Sequence, residues 1–274
     1  MAEASKTAWD ESVPAPTARH LILKLLVALE TETLDASDAI RACALFGISD
    51  NNARVALTRL ANANLIETAG RGTYRLGAEG RALGEDVSAW RTAEQRVRPW
   101  DGTWVAVLIA GLGRSDRTAL RERERALALV GMRQLEEGLY VRPDNLAGGV
   151  AHTRERLYGL GVETGAPVFT VRDLDATLEA KARGLWNGKE LAKGYRDSKR
   201  LLEKSSTRLG TLPVEVAARE AYLLGDQAIR QLVFDPFLPE PLVTVADRIA
   251  FGDAVRRYDE DGRSIWQRFL SARV

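Results

Sequence analysis

From Thr17 to Glu30 the apolar residues Leu21, Ile22, Leu25, Leu26 and Leu29 recur at helical spacing, and Thr17 follows Pro16 as an N-cap. A second helix carries Ile40, Ala44 and Leu45 behind a cap at Asp35 or Ser37, and Gly47 is placed to end it. Ser49 caps a third, Asp50 to Ala63, whose inner face is Ala53, Ala56, Leu57 and Leu60. Three short helices with a glycine turn between the last two make a helix-turn-helix pattern. Residues 64–68 and 73–76 then read as strands around Ala69-Gly70-Arg71-Gly72, a hairpin that forms a wing. A further helix from about Gly80 to Arg96 leads to the turn-rich Arg98-Pro99-Trp100-Asp101-Gly102, where a domain boundary falls.

Beyond that junction the period changes. Thr103–Ala110 is a β-rich run, Arg114–Val130 a charged amphipathic helix, Met132–Leu135 and Leu139–Arg142 are strands around Glu137-Gly138, Asp144–Leu160 is weakly helical and Pro167–Val171 is a strand. The order βαββαβ is that of the ferredoxin-like fold. From residue 174 onward strand signals vanish: Leu174–Leu185, Gly188–Thr207, Val214–Val233 and Ala246–Ser271 suit helices, and the proline-rich connector Phe234–Pro241 is expected to be extended. The expected class is α+β, with a tail at 1–16 read as mobile for lack of any periodicity, a winged-helix domain at 17–98, a ferredoxin-like dimerisation domain at 99–173 and a helical domain at 174–274.

Composition narrows the chemistry. The 274 residues are 45% hydrophobic and 28% charged, and 39 Lys+Arg against 38 Asp+Glu give +1, so any nucleic-acid footprint must be local. One is present: from Asn51 to Arg81 five arginines (54, 59, 71, 75 and 81) face two glutamates (67 and 79), a net of +3. One cysteine and two histidines exclude a disulfide framework and multi-cysteine or histidine-rich metal sites, and fit a reducing cytoplasm. The apolar runs fall short of the ~20 residues that span a bilayer, and the acidic start has no signal-peptide pattern, so a cytoplasmic protein without membrane contact is expected.

A helix-turn-helix reads DNA by laying its second helix in the major groove while the wing meets the backbone. Asn pairs bidentately with adenine and Arg with guanine, and hydroxyls suit phosphates, so Ser49, Asn51, Asn52, Arg54, Thr58 and Arg59 on the helix and Arg71, Tyr74 and Arg75 on the wing are the candidate contacts to double-stranded operator DNA. The alternatives are a solvated helix face in a winged-helix protein-interaction scaffold, with Arg54 and Arg59 pairing to Asp50 or Glu67. Catalysis has less support. Cys43 sits among Ala42, Ala44 and Leu45 as a core thiol would, His20 and His152 read as packing or capping residues, and Gly111-Leu112-Gly113-Arg114 lacks the Gly-Lys-Ser/Thr of a phosphate loop. No catalytic residue, metal ligand or cofactor is assigned.

The stretch Phe46-Gly47-Ile48-Ser49-Asp50-Asn51-Asn52-Ala53-Arg54-Val55-Ala56-Leu57-Thr58-Arg59-Leu60 resembles the recognition-helix signature of the phenylacetate-degradation repressor (PaaX) family. The similarity continues through Tyr74-Arg75-Leu76, Trp100-Asp101-Gly102-Thr103-Trp104, Gly138–Asn145, Leu185-Trp186, Tyr195 and Asp235-Pro236-Phe237-Leu238-Pro239, in the family's order. The resemblance implies a non-enzymatic transcriptional repressor of an aromatic (phenylacetate-type) catabolic operon. It implies a winged-helix domain, a Cas2-like ferredoxin domain and a helical domain, a homodimer on a palindromic operator, and release by an aryl-coenzyme A thioester such as phenylacetyl-CoA. Two positions depart from the family pattern: the wing is short at Gly70-Arg71-Gly72, and Gly225–Arg230 lacks the histidine and aromatic residues of many relatives. A Cas2-like metal-dependent nuclease, the enzymatic rival, needs a carboxylate at the end of the first strand of that domain, where Leu108–Gly113 has none; Asp101 and Asp116 lie to either side. For the effector, cations and aromatics concentrate in Arg183, Trp186, Lys189, Lys193, Tyr195 and Arg196, which are equally the residues of a core and a solvated helix face.

Overall fold

The computed structural model describes residues 15–28, 33–113 and 115–272. The expectations for residues 1–14, Leu29, Glu30 and Arg114 lie outside that range. The chain forms two compact units, each drawn from separate segments: one from Met1–Ala89, Leu201–Ala228 and Ala254–Val274, the other from Trp90–Arg200 and Ile229–Asp253.

In the first unit α1 (Ala18–Ala28), α2 (Ala36–Ala44) and α3 (Asp50–Asn62) pack on one another. Thr17 caps α1, its hydroxyl accepting from the His20 amide at 3.3 Å, and Leu21, Ile22, Leu25 and Leu26 are buried on one face. Ser49 caps α3, and all four expected inner residues, Ala53, Ala56, Leu57 and Leu60, are buried. In α2 the expectation fails: Ala39, Ala42 and Cys43 are buried, while Ile40 and Leu45 are half-buried and Ala44 is exposed. The close approach of α2 to α3 selects small side chains over the larger ones. Asp35 occupies the N-cap position of α2 without capping through its side chain, which accepts instead from the Thr73 hydroxyl at 2.7 Å. Gly47 makes the turn to α3 at φ +72°, a conformation that L side chains rarely adopt.

The hairpin β2 (Ile66–Gly70) and β3 (Thr73–Leu76) gains a third strand that the sequence pattern missed, β1 (Thr33–Asp35), paired antiparallel with β3, so the sheet order is β1-β3-β2. The expected helix over Gly80–Arg96 divides into α4 (Ala78–Ser88) and a 3-10 segment at Ala89–Arg96 that buries Trp90 and Ala93.

The second unit holds a four-stranded antiparallel sheet of β4 (Trp104–Leu108), β5 (Arg133–Glu136), β6 (Leu139–Pro143) and β7 (Val168–Val171) in the order β5-β6-β4-β7. Between β4 and β5 runs α5 (Arg117–Leu129), and between β6 and β7 runs α6 (Gly149–Gly159). Val105 and Val107 face a core built with Leu127, Met132, Leu157 and Val168. Alternation sends Trp104 and Ala106 to the other face, which a sheet packed by helices on one side alone would leave open. Here it is covered: Trp186 stacks on Trp104 with centroids 6.3 Å apart and planes 7° from parallel, and Trp100 meets Trp104 edge-on at 5.0 Å.

The remaining helices are α7 (Ala176–Arg183), α8 (Gly188–Leu209), α9 (Val214–Val233) and α10 (Val245–Ser271), the last three each contributing residues to both units. The connector after α9 is not simply extended. Phe237 sits at φ +48°, and the Asp235 carboxylate accepts from its amide at 2.7 Å. Three side chains bond the connector's carbonyls: Arg142 that of Pro236, Asn145 that of Phe237 and Arg248 that of Leu238. Arg142 also donates to Val130 O and Asn145 Oδ1, and Arg248 forms a two-pronged pair with Glu94 at 2.9 and 3.0 Å. Burial lowers the Arg142 pKa to about 10 and raises that of Asp235 above the usual carboxylate range. Gly131 lies against this turn: a Cβ there would stand 2.8 Å from Pro236 Cα.

Candidate nucleic-acid interface

Because α3 is amphipathic, burying Ala53, Ala56, Leu57 and Leu60 turns a single polar stripe outward. Asn51, Asn52, Arg54, Val55, Thr58 and Arg59 are all exposed on it. Ser49 acts as the helix cap, accepting from the Asn52 amide at 3.3 Å. Arg54 is engaged with Asp50 one turn earlier at 2.7 Å, and the Thr58 hydroxyl donates back to the Arg54 carbonyl at 3.1 Å. Among the described residues Arg59 has no ion-pair partner, so it is the helix's uncommitted cation.

On the hairpin, Arg71 is exposed at the turn and has no ion-pair partner among the described residues. Arg75 crosses to Glu67 at 2.7 Å, and Arg81, 3.8 Å from the same carboxylate, donates to the Leu76 carbonyl. Tyr74, next to Arg75 on the central strand, is half-buried and lies opposite Leu34 of β1. The helix residues therefore share one face, Arg71 and Arg75 sit on the adjoining hairpin, and Glu67 holds part of the hairpin's charge.

Beside α3 lies a groove of about 480 Å3 between the start of α1 and the exposed face of α3, lined by Arg19, Ile48, Val55, Arg59, Leu60 and Leu65 among others. Elsewhere in the same unit, the Asp226 carboxylate of α9 receives His20 Nε2 at 3.3 Å and the Lys24 ammonium. Burial works against ionisation there, but the His20 hydrogen bond and the Lys24 charge outweigh it and hold the carboxyl well below its usual range. Lys24 also lies 5.3 Å from the ring centre of Tyr222, which Phe46 and Trp266 contact edge-on.

Most of the six effector candidates are engaged with other side chains. Arg183 pairs with Glu179 and stacks on Trp100, Lys193 lies between Glu190 and Asp197, Arg196 pairs with Asp247, Lys189 is exposed, and Tyr195 is buried against Phe251. Trp186 lines a cleft of about 310 Å3 with Arg133, Asn187, Leu191, Gln231 and Phe234. The one signal that pointed to Phe234 was a large apolar residue just past a helix end; it is 40% exposed. The remaining chemical candidates have structural duties. Cys43 is fully buried and its thiol pKa is pushed up to about 11 by burial. Asp116 caps α5, and Asp101 accepts from the Thr103 amide. Among the described residues no cluster of three or more His, Cys, Asp or Glu side chains is placed to hold a metal ion, and no helix is long and apolar enough to cross a membrane.

Residues 186–268 match the family model of the PaaX-like protein C-terminal domain. Among solved structures, the chain is similar to the uncharacterized protein Rv0674 from Mycobacterium tuberculosis, at 24% identity and a TM-score of 0.62 over 93% of this chain and 98% of that one, so the two share a fold. No curated protein matches the chain.

Proposed function

From the premise that residues 186–268 are a PaaX-like C-terminal domain and align the chain with the PaaX family of regulators, we propose that the protein is a DNA-binding repressor of an aromatic, phenylacetate-type catabolic operon. In this reading α1 to β3 are a winged helix with α3 as the recognition helix, and β4 to β7 with α5 and α6 are a ferredoxin-like domain. The observation that carries it is the single exposed face bearing Asn51, Asn52, Arg54, Thr58 and Arg59, beside a hairpin bearing Arg71. These are the side chains that pair with adenine and guanine edges and with phosphates.

One such head binds weakly, so the active form is a homodimer whose two recognition helices meet half-sites about 34 Å, or a multiple of that, apart. With the β4 face covered by Trp186, the copies meet elsewhere on the ferredoxin-like domain, at the β7 edge where Phe169 is 39% exposed. The effector is an aryl-CoA thioester such as phenylacetyl-CoA. The cleft at Trp186 offers its aryl group the apolar walls of Leu191 and Phe234, and Arg133 offers a cation. Release requires that the thioester bind the DNA-free state more tightly, and linkage makes the effect reciprocal.

A gel shift on the DNA upstream of the protein's own gene tests the reading. Retardation of that fragment in excess random duplex, relieved by phenylacetyl-CoA, is expected. Equal affinity for both DNAs, or none, points instead to a protein-interaction scaffold, and retardation unaffected by the thioester removes the effector alone. Light scattering that finds a monomer at micromolar concentration removes the dimer.

A further inference from the structure

The groove beside α3 shares Asn52 and Arg59 with the proposed DNA-reading face, but those two polar residues do not account for its walls. Phosphates and base edges call for donors and charges, yet Ile48, Val55, Leu60 and Leu65 give the groove apolar walls, with Val55 39% exposed. An apolar trough of about 480 Å3 on a solvated face is a seat for another piece of chain. At its margins are Arg19 and Arg59, neither with an ion-pair partner among the described residues. Its occupant must therefore combine a large apolar group with negative charge.

The first turn of α1, Thr17 to Arg19, forms one wall of the groove, so the preceding chain enters the helix at the groove's edge. That chain reads Trp9-Asp10-Glu11-Ser12-Val13-Pro14-Ala15-Pro16: one large ring, then two adjacent carboxylates, then prolines that favour an extended path. Trp9 stands eight residues before Thr17, a reach of at most roughly 26–29 Å. The stretch of α3 along the groove, Asn52 to Ala63, is about 17 Å long. The tether is long enough for the ring to reach any part of it.

We propose that the groove is the docking site of this chain's own residues 9–13, the Trp9 indole seated against Ile48, Val55 and Leu65 and the Asp10 and Glu11 carboxylates meeting Arg19 and Arg59. A segment so placed covers Asn52 and Arg59, so its carboxylates occupy positions that phosphates need. Docking and duplex DNA then exclude each other, and the segment restrains binding to weak, non-specific sites most. The docking stands on the groove and the sequence alone; the competition rests on the DNA-binding reading.

The test uses the full chain labelled with 5-fluorotryptophan, the Trp9 fluorine resonance being identified by its loss in Trp9→Phe. Four of the other five tryptophans, Trp90, Trp104, Trp186 and Trp266, are buried and serve as internal standards. The Trp9 resonance is expected to be insensitive to exchange of H2O for D2O, and to become sensitive in Val55→Asp and in the Asp10→Lys, Glu11→Lys double variant. A Trp9 resonance fully sensitive to D2O in the unmodified chain overturns the proposal, as does a protected one that Val55→Asp leaves unchanged. Added random duplex is expected to expose Trp9 as well. If the variants expose it but duplex does not, the docking holds and the competition falls.

Discussion

Replacing Arg54 separates base reading from backbone contact, and the structure sets the size of the effect. A bidentate Arg–guanine contact discriminates by about 1–3 kcal/mol. In free protein, however, Arg54 already holds Asp50 at 2.7 Å, an exposed pair one helical turn apart that is worth roughly 0.3–0.5 kcal/mol. Binding must break it, so Arg54→Ala is expected to cost about 0.5–2.7 kcal/mol on operator DNA, roughly a two- to hundredfold loss, with little change on random duplex. The same arithmetic gives Asp50→Asn the opposite sign. It frees Arg54 and removes a negative charge from the reading face, so operator affinity should rise about twofold. Gel shifts of both variants on operator and random duplex at one salt concentration check the pair. Equal losses on both DNAs for Arg54→Ala make the residue a phosphate contact, no loss on either removes it from the interface, and weaker binding by Asp50→Asn refutes the competition between Asp50 and DNA.

At the hairpin, Arg71→Ala should weaken binding to all sequences alike and reduce the salt slope by about one, whereas Arg75→Ala, already shared with Glu67, should change the slope less; titrations across salt concentrations distinguish them. Asp226 is held ionised below the usual carboxylate range, so its contribution is complete above about pH 5 and fades as acid protonates this carboxyl in the unfolded chain while the folded one stays ionised, until the folded carboxyl is protonated too. Asp226→Asn should cost about 1–2 kcal/mol at neutral pH and lose less stability than the parent chain on going to pH 3, read by thermal melts; parallel pH profiles refute the assignment. Arg142→Met leaves the Val130 and Pro236 carbonyls without their buried donor and should cost about 3–5 kcal/mol by urea denaturation, a loss under about 1 kcal/mol showing that water replaces the guanidinium.

What the sequence made legible is what local chemistry decides. Ser49 as a cap, the four inner residues of α3 and the bounds Val214–Val233 of α9 all follow from side-chain period and terminal signals. What escaped depends on partners remote in sequence. Thr33–Asp35 is too short to show alternation and is a strand only because β3 lies beside it. The buried face of α2 is set by its fit to α3, which admits Ala39, Ala42 and Cys43. The six effector candidates were neighbours along the chain, but Arg183 ends α7, Trp186 lies in the connector before α8 and only the other four are on α8, and Arg183, Lys193, Tyr195 and Arg196 each met a different partner. The exposed polar face of α3 was legible; that Arg54 and Arg75 are already engaged was weighed for the first and missed for the second.

The turn at Asp235–Leu238 bears on how such chains can be recombined. Its carbonyls are claimed by Arg142, Asn145 and Arg248, contributed by stretches nearly a hundred residues apart on one side and ten on the other. A hybrid that grafts the last hundred residues of a relative onto this sheet would bring a new turn to old donors. Unless residues 142 and 145 travel with the graft or already match it, the incoming backbone would find its oxygens facing the wrong groups. Viable crossover points should therefore lie before β6, or the transplanted segment should begin early enough to carry both ends of this lock.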